Sequence, residues 1–316
     1  MRSLVAQAWA VVAGVLLALP APAAPANASA ARAAGGGWWR PEPGLKFEYL
    51  LSETFDPAKH LIPGVQVYLI DGFDTPASAV AALAAAGGVP VCYFSAGSRE
   101  DWRPDAADFD EADLGAPLVG WEGERWLDVR SPRIKPIMLK RMEMCRDKGF
   151  LAVDPDNVDA FIQPGGAGLS PPLSGADQLA YNRWLADTAH GLGLGAGLKN
   201  DLGHVEAMAE DIDFFVNEQC MQYTECDRYA PARVAGKPVY GVEYEARAFE
   251  AACKAGNESG VTHILKTLDL DSSLRRECGP NGTDPRSGAA AARPPARAAR
   301  AALALAAGWL AAAAAA

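Results

Sequence analysis

The sequence predicts an α/β fold of the (β/α)8 TIM-barrel class, built as a single catalytic domain, and three observations support this prediction. Short runs rich in valine, isoleucine, tyrosine and phenylalanine recur along the chain, as is typical of parallel strands buried on both faces. Longer segments with helical periodicity separate these runs. Polar residues directly follow several of the runs, and in this fold class the chemistry takes place at the carboxyl ends of the strands.

Eight apolar runs supply the predicted strands, which is the number that closes a barrel of this class. They are FEYLL (47–51), QVYLI (66–70), VPVCYF (89–94), FLAVD (150–154), LGAGLK (194–199), DFFVN (213–217), PVYGVE (238–243) and HILKT (263–267). The predicted helices between them include 76–86, 134–148, 178–191 and 246–255.

Both ends of the chain differ in composition from the predicted barrel domain, residues 38–280. Residues 1–30 have a positive start, an apolar segment and a run of small residues, which predicts a secretory signal peptide, and 31–37 form an Ala/Gly-rich linker. Residues 281–316 are rich in Ala, Pro and Arg and end in an uncharged apolar stretch. This tail is either a GPI-anchor signal or low-complexity sequence. We therefore expect a secreted or cell-surface protein.

The charge of the chain is strongly acidic. It has 39 acidic and 29 basic residues, a net charge of −10, and residues 33–288 are more acidic still because they keep all 39 acids but only 24 of the basic residues. Such a surface repels nucleic acid and favours cationic partners, although solubility alone also explains a negative excess. We expect a monomer that binds no nucleic acid.

Six cysteines in a secreted chain favour disulfides. We predict the pairs Cys220–Cys226, which closes a short loop, Cys253–Cys278, which ties the last predicted helix to the end of the barrel, and Cys92–Cys145. The sequons at Asn257 and Asn281 are glycosylation acceptors in a eukaryotic secreted protein. No pair of cysteines has a zinc-binding spacing, and no metal or other cofactor is expected.

The stretch FLAVDPDNVDAF (150–161) sends a buried strand into three carboxylates, Asp154, Asp156 and Asp159. Pro155 stiffens the backbone between the first two of them. Paired carboxylates at the rim of a barrel suit glycosidic bond cleavage, in which one acid protonates the leaving oxygen and the other attacks or activates water. We predict that Asp156 and Glu218 form this pair. The alternatives are helix caps or structural ion pairs, and a calcium loop is disfavoured because the EF-hand spacing fails.

Other polar residues near the predicted strand ends are expected to bind substrate. They are Asp71, Tyr93, Glu124, Asp154, Asn157, Lys199, Asp201, Glu243 and Tyr244. The long excursion from Ser95 to Ser131 adds two further groups of candidates. Trp102, Trp121 and Trp126 either stack on sugars or form a small core of their own, and Glu100, Glu122 and Glu124 either bind an ammonium group or are ordinary solvated charges.

Eight linked motifs resemble glycoside hydrolase family 114, in order and in spacing. They are WWRPEPG (38–44), YLIDGFDT (68–75), VCYFSAGSREDWRPDA (91–106), WEGERWLDVRSP (121–132), DPDNVD (154–159), GLKND (197–201), NEQCMQYTEC (217–226) and GKPVYGVEYEA (236–246). The resemblance implies an endo-α-1,4-polygalactosaminidase on a (β/α)8 barrel, acting on a cationic or partly acetylated galactosamine polysaccharide. It also implies catalytic acids at the ends of the fourth and sixth strands, where this chain has Asp156 and Glu218.

The chain departs from the family at Asp154, where the family usually has glutamate. We expect Asp156 as nucleophile and Glu218 as acid/base of a retaining mechanism. Two alternatives stay open: a non-catalytic sugar-binding protein on the same barrel, and a glycosidase for another polysaccharide.

Overall fold

A computed structural model describes residues 37–256 and 260–279 and confirms the predicted (β/α)8 barrel. The strands are β1 (Phe47–Leu50), β2 (Val67–Asp71), β3 (Val89–Ser95), β4 (Ser98–Glu100), β5 (Leu114–Pro117), β6 (Glu124–Leu127), β7 (Ala152–Asp156), β8 (Gly195–Lys199), β9 (Phe214–Glu218), β10 (Val239–Glu243), β11 (Val261–Lys266) and β12 (Arg275–Glu277). The α-helices are α1 (Pro57–His60), α2 (Ala77–Ala85), α3 (Ile134–Lys148), α4 (Gly175–Gly191), α5 (Val205–Met208), α6 (Ala230–Val234) and α7 (Ala246–Ala255). The predicted signal peptide, nearly all of the linker, the tail and both sequons lie outside the described residues.

Eight parallel strands form the barrel wall in the order β1, β2, β3, β7, β8, β9, β10, β11. Each of the eight predicted strands overlaps one of these strands, with ends shifted by at most a few residues. The predicted helices 134–148 and 246–255 match α3 and α7 at both ends. These helices could be predicted because each pairs an apolar stripe with a clear stop, such as Gly149, whose φ of 93° ends α3 in the left-handed conformation.

The ninth strand of the sheet, β12, pairs antiparallel with β11 and contacts β1. The Arg275 guanidinium donates to the carbonyl oxygen of Phe47, 2.9 Å away, and Lys46 forms an ion pair with Glu277 at 2.6 Å. Because β12 runs back from the carboxyl end of β11, it reaches the residue that precedes β1. The short strand therefore ties together the two edge strands of the wall.

Alternate residues of the barrel strands point inward, as the two-residue repeat of a strand requires. Phe47, Tyr49, Ala152, Phe214 and Val216 belong to one buried apolar cluster inside the barrel. A larger cluster fills the space between the sheet and the helices. At the amino ends of the strands, the Trp38 indole donates to Asp213, the residue before β9, at 3.2 Å.

All three predicted disulfides are confirmed: Cys92–Cys145, Cys220–Cys226 and Cys253–Cys278. The first joins β3 to α3, the second begins two residues after Glu218, and the third joins α7 to the segment after β12. None of these six cysteines is a free thiol.

The excursion between β3 and α3 contains a small antiparallel sheet in the order β4, β6, β5. It joins the carboxyl face of the barrel closely, since the Leu127 amide donates to the Gly97 carbonyl at 2.9 Å. A Cβ added to Gly97 would lie 1.7 Å from the carbonyl oxygen of Asn157, so only glycine fits there. Within residues 37–256 and 260–279, none of the helices has the length and apolar character required to cross a bilayer.

Candidate active site

A cavity of about 570 Å³ opens at the carboxyl ends of the barrel strands, between the barrel and the small sheet. Strands β2, β3, β7, β8 and β9 each contribute a residue at or near their carboxyl end, and β4, β5 and β6 form one side of the cavity. Most of the ionisable side chains that line it are carboxylates, and the cations among them are Arg103 and Lys199. The lining is therefore strongly anionic.

A lysine lies between the two predicted catalytic acids at the centre of the cavity. The Lys199 ammonium is 3.3 Å from Asp156 Oδ1 and 3.1 Å from Glu218 Oε2, and the residue is 2% exposed. Burial alone would lower the pKa of Lys199, but the carboxylates of Asp156 and Glu218 outweigh it and raise that pKa well above its usual value. The lysine therefore remains charged and links the two acids.

The shared ammonium also limits the separation of the two acids. Asp156 Oδ1 and Glu218 Oε2 can be no farther apart than the sum of their two distances to Lys199 Nζ. That bound applies to one pair of oxygens, and it is compatible with the separation of about 5–5.5 Å between carboxyl groups that is typical of retaining glycosidases.

Three tyrosines fix the orientation of this centre from inside the barrel. The Tyr93 hydroxyl donates to Asp156 Oδ2 at 2.9 Å, and the Tyr244 hydroxyl donates to Glu218 Oε1. Tyr49 accepts from Lys199 and donates to Asp154, each at 3.1 Å. Burial, followed by the nearby carboxylates, raises the pKa of all three phenols, so they remain protonated donors.

The backbone turns sharply after each of the three central side chains. Asn157, Asn200 and Gln219 directly follow β7, β8 and β9, and each has a positive φ, of 61°, 52° and 68°. Asparagine tolerates this left-handed conformation better than most residues, and such conformations cluster at functional sites. The turns also supply hydrogen bonds: the Asn157 amide donates to Asp156 Oδ1 at 2.8 Å, and the Glu218 amide donates to Asn200 Oδ1 at 3.0 Å.

Glu124 brings a third carboxylate into the cavity from strand β6 of the small sheet. Its Oε1 atom accepts hydrogen bonds from Ser98, from Asn157 Nδ2 at 3.0 Å and from Ser95 at 3.3 Å. Burial raises the pKa of Glu124 to about 7, and the neighbouring charges of Glu100 and Asp156 add to the shift.

The structure brings Asp71, Tyr93, Glu124, Asn157, Lys199 and Tyr244 to the cavity wall beside Asp156 and Glu218. Asp71 is the least available of these residues, because the Arg103 guanidinium holds it through two contacts, of 2.6 and 3.2 Å. The same guanidinium binds Glu100 at 2.9 Å.

Three residues expected to bind substrate do not line the cavity. Asp154 points into the barrel one layer below Asp156, because two residues along a strand lie on the same face, and its carboxylate meets Tyr49. Asp201 is fully buried and bound to Asn182 and His204. Neither carboxylate reaches the opening of the cavity. Neither is therefore placed to contact substrate directly, as Asp156 is.

Glu243 is the third of these residues. It is also fully buried and accepts a hydrogen bond from the Met221 amide at 2.8 Å. Burial raises the pKa of Asp154 and of Glu243 to about 7.

The aromatic and acidic residues of the excursion divide into two groups. All three tryptophans line the cavity, but Trp126 is 8% exposed and belongs to the core, whereas Trp102 and Trp121 are 52% and 48% exposed. Among the acids, Glu100 is buried in ion pairs with Arg103 and Arg141, and Glu122 is exposed and does not line the cavity. Glu100 and Glu124 are both buried and both line the cavity, but Glu100 is held by the two arginines, whereas Glu124 has no ion pair within the described residues.

Sequence reasoning did not identify Tyr49, Ser98 or Arg103. Tyr49 lies within an apolar strand, where nothing distinguishes it from a core residue, and Arg103 lies in a loop whose fold could not be predicted. One group of candidate metal ligands, Cys220, Cys226 and His263, occurs among the described residues, but its two sulfurs are joined in a disulfide.

Comparisons with known proteins agree with this architecture. The crystal structure of Aspergillus fumigatus Ega3 in complex with galactosamine is 36% identical in sequence, covers 76% of this chain and 97% of that chain, and superposes with a TM-score of 0.71. The glycoside hydrolase domain of PelA from Pseudomonas aeruginosa is 16% identical, covers 73% of this chain and 97% of that chain, and has a TM-score of 0.56, which supports the fold. No curated protein sequence matches the chain.

The sequence model described as glycoside-hydrolase family GH114 matches residues 28–280, which include the whole described barrel. The family match, the Ega3 relative and the barrel with its carboxylate-lined cavity agree with one another. The chain therefore belongs to glycoside hydrolase family 114.

Proposed function

We propose that this protein is a secreted, endo-acting glycosidase that hydrolyses α-1,4-linked galactosamine polysaccharide with retention of configuration. The observation that carries the proposal is the pair Asp156 and Glu218, held on one buried ammonium in an anionic cavity. An anionic cavity attracts a polymer whose free amino groups are protonated, whether the polymer is fully or partly deacetylated. The 36% identical relative, crystallised with galactosamine, supports the same class of sugar.

In the first step, an Asp156 oxygen attacks the anomeric carbon while Glu218 gives a proton to the leaving glycosidic oxygen. The C–O bond to the leaving sugar breaks and a covalent glycosyl–Asp156 ester forms. In the second step, Glu218 takes a proton from water, the water oxygen attacks the same carbon, and the ester bond breaks to free Asp156. The position of both acids on one ammonium is compatible with this retaining course, whereas an inverting enzyme needs room for a water molecule beside the sugar.

The tyrosines and the lysine have supporting roles in this mechanism. Tyr93 and Tyr244 fix one oxygen of each acid and leave little rotational freedom, so the acids are preorganised for the reaction. Lys199 places one positive charge against both acids, which offsets repulsion between them. Trp102 and Trp121 offer exposed rings on which further sugar units of a long polymer can stack, as an endo-acting enzyme requires.

Secretion is part of the proposal. Three disulfides in a domain of this size are typical of proteins that fold in an oxidising compartment. The proposed signal peptide and the GPI-anchor signal lie outside the described residues, so they remain predictions.

The proposal is tested by measuring turnover of defined oligosaccharides. The wild-type protein should cleave α-1,4-galactosamine oligomers internally and release products of retained anomeric configuration, detected by NMR. Asp156→Asn and Glu218→Gln should each reduce kcat by at least about 10³-fold, since each removes a group that acts in the transition state. Turnover that survives both substitutions would refute the assignment of the two acids.

The same screen separates the two alternatives. Binding without turnover would indicate a sugar-binding protein, and turnover of an uncharged polysaccharide in preference to galactosamine would indicate another substrate.

A further inference from the structure

Glu124 is held in one fixed orientation by donors from three parts of the chain. Its Oε1 atom accepts from Ser98 of β4, from Ser95 of β3 and from the side-chain amide of Asn157, which directly follows Asp156. The residue is only 5% exposed. One oxygen of this carboxylate is therefore fully occupied, and the side chain cannot turn without breaking several hydrogen bonds.

The other oxygen, Oε2, has no hydrogen-bond partner in the part of the chain that the structure describes, and Glu124 lines the cavity. Unlike the fully buried Oε2 of Glu100, this unpaired oxygen is not closed off from the cavity, so a donor or a cation from outside can reach it.

The protein does not supply that cation among residues 37–256 and 260–279. Glu124 forms no ion pair there, and the charges that act on its pKa are the carboxylates of Glu100 and Asp156. The nearby guanidinium of Arg103 is bound to Glu100 and Asp71, and that of Arg141 to Asp105 and Glu100. An incoming cation therefore meets a carboxylate with no competing positive partner.

We propose that Glu124 binds the ammonium group on C2 of a galactosamine unit beside the cleaved bond, and so selects free amino sugars over N-acetylated ones at that position. The inference rests on the proposed function, because it assumes a galactosamine polymer in this cavity. Asn157 connects Glu124 to Asp156, which places the ammonium site next to the reacting unit instead of at a distant part of the cleft.

Galactosamine and N-acetylgalactosamine differ in the charge, size and hydrogen-bonding groups on C2, on which this selection depends. An ammonium group is small, carries three donors and a positive charge, and forms a charge-assisted hydrogen bond to a carboxylate. An acetamide is neutral and larger, offers one donor, and brings a carbonyl oxygen that the carboxylate repels. A partly acetylated polymer would then be cut mainly where this position holds a free amine.

Protonation of Glu124 links this selection to pH. Burial, together with the charges of Glu100 and Asp156, raises the pKa of Glu124 to about 7. An ammonium binds the ionised form, so affinity for galactosamine should increase as the pH rises through about 7, until the amino group of the sugar loses its own proton.

Glu124→Gln tests the inference, because glutamine keeps an acceptor oxygen for Ser98, Ser95 and Asn157 and replaces only the free oxygen with a neutral donor. We expect kcat/KM for fully deacetylated galactosamine oligomers to fall about 10- to 100-fold, the range typical of one charged hydrogen bond. Oligomers carrying an acetyl group at the cleaved unit should lose little, so the ratio of the two values should fall by a similar factor. The increase in affinity with pH, measured calorimetrically on the Glu218→Gln background, should also disappear.

Glu122→Gln is the matched control, because it removes the same charge from an exposed acid two residues away that does not line the cavity. It should leave the ratio of deacetylated to acetylated turnover unchanged. Equal losses on both kinds of oligomer in Glu124→Gln would indicate a positioning residue and overturn the inference, as would unchanged selectivity. Failure of the wild-type protein to bind or cleave galactosamine oligomers would instead refute the proposed function, and the inference with it.

Discussion

Replacing Lys199 with methionine should both destabilise the barrel and change the pH dependence of catalysis. The ammonium is buried and contacts two carboxylates at 3.1 and 3.3 Å. At such distances and an effective dielectric constant near 20, each contact represents about 5 kcal/mol of Coulomb attraction. The desolvation of the lysine and the partial exposure of Asp156 and Glu218 offset much of this attraction. Removing one partner of a buried ion pair typically costs about 3–5 kcal/mol, and we expect a loss of that size.

The catalytic effect follows from the charge that remains. Without the ammonium, ionising Asp156 beside Glu218 is opposed by their mutual repulsion, so the whole kcat/KM profile should move to higher pH by about one unit or more. Urea unfolding at pH 7 measures the first effect and a pH–rate profile on galactosamine oligomers measures the second. Lys266→Met is the control: it also removes a buried ammonium from a carboxylate, Glu48, but does not line the cavity.

The control should lose stability while keeping the wild-type pH profile. A Lys199→Met protein with the wild-type free energy of unfolding and an unshifted profile would refute the role given to the lysine.

Three further predictions concern the cleft rim, a buried acid and a tight backbone contact. Trp102→Ala and Trp121→Ala should each raise KM for long oligomers about 10-fold and change KM for the shortest cleaved oligomers less, because a stacked ring binds distant sugar units. A change in KM that does not depend on chain length in steady-state assays would contradict this. Asp154→Asn should reduce the loss of folding stability between pH 5 and pH 8. The raised pKa of about 7 means that the folded state keeps a proton that the unfolded chain releases near pH 4. The stabilisation from this group is therefore complete below pH 4 and is lost as the pH rises to 7. Thermal unfolding at both pH values tests it, and a slope equal to that of the wild type would argue against it. Gly97→Ala should destabilise the protein by about 1–3 kcal/mol and lower kcat, since its Cβ would lie 1.7 Å from the Asn157 carbonyl oxygen and displace the turn after β7; wild-type unfolding and kcat would rule this out.

The barrel could be predicted from sequence because each of its strands is short, apolar and followed by polar residues. That pattern depends on local burial and needs no knowledge of distant partners. The same logic located Asp156 and Glu218, since side chains at the carboxyl ends of parallel strands must meet at one face. The two-residue repeat also implied that Asp154 and Asp156 share a face, but not that Asp154 would lie too deep to reach the opening.

The remaining features depend on contacts between residues far apart in the chain. Glu100 appears as available as Glu124 in the sequence, and only the folded excursion shows that Arg103 and Arg141 bind it. Asp201 follows a strand end as Asp156 does, yet its backbone has a positive φ of 40° and its carboxylate turns to Asn182 and His204. Long-range ion pairs and left-handed turns carry no periodic signal that could have revealed them.

The return strand β12 has a consequence for how the enzyme would be tethered. Glu277 at its end meets Lys46 before β1, and Trp38 meets Asp213 before β9, so both ends of the described domain lie at the amino ends of the barrel strands. The cavity opens at the opposite face. Whatever segment continues from Gly279 therefore starts behind the catalytic face. If that segment were attached to a membrane or wall, the cleft would point outward, with free access for a long polymer approaching from solution.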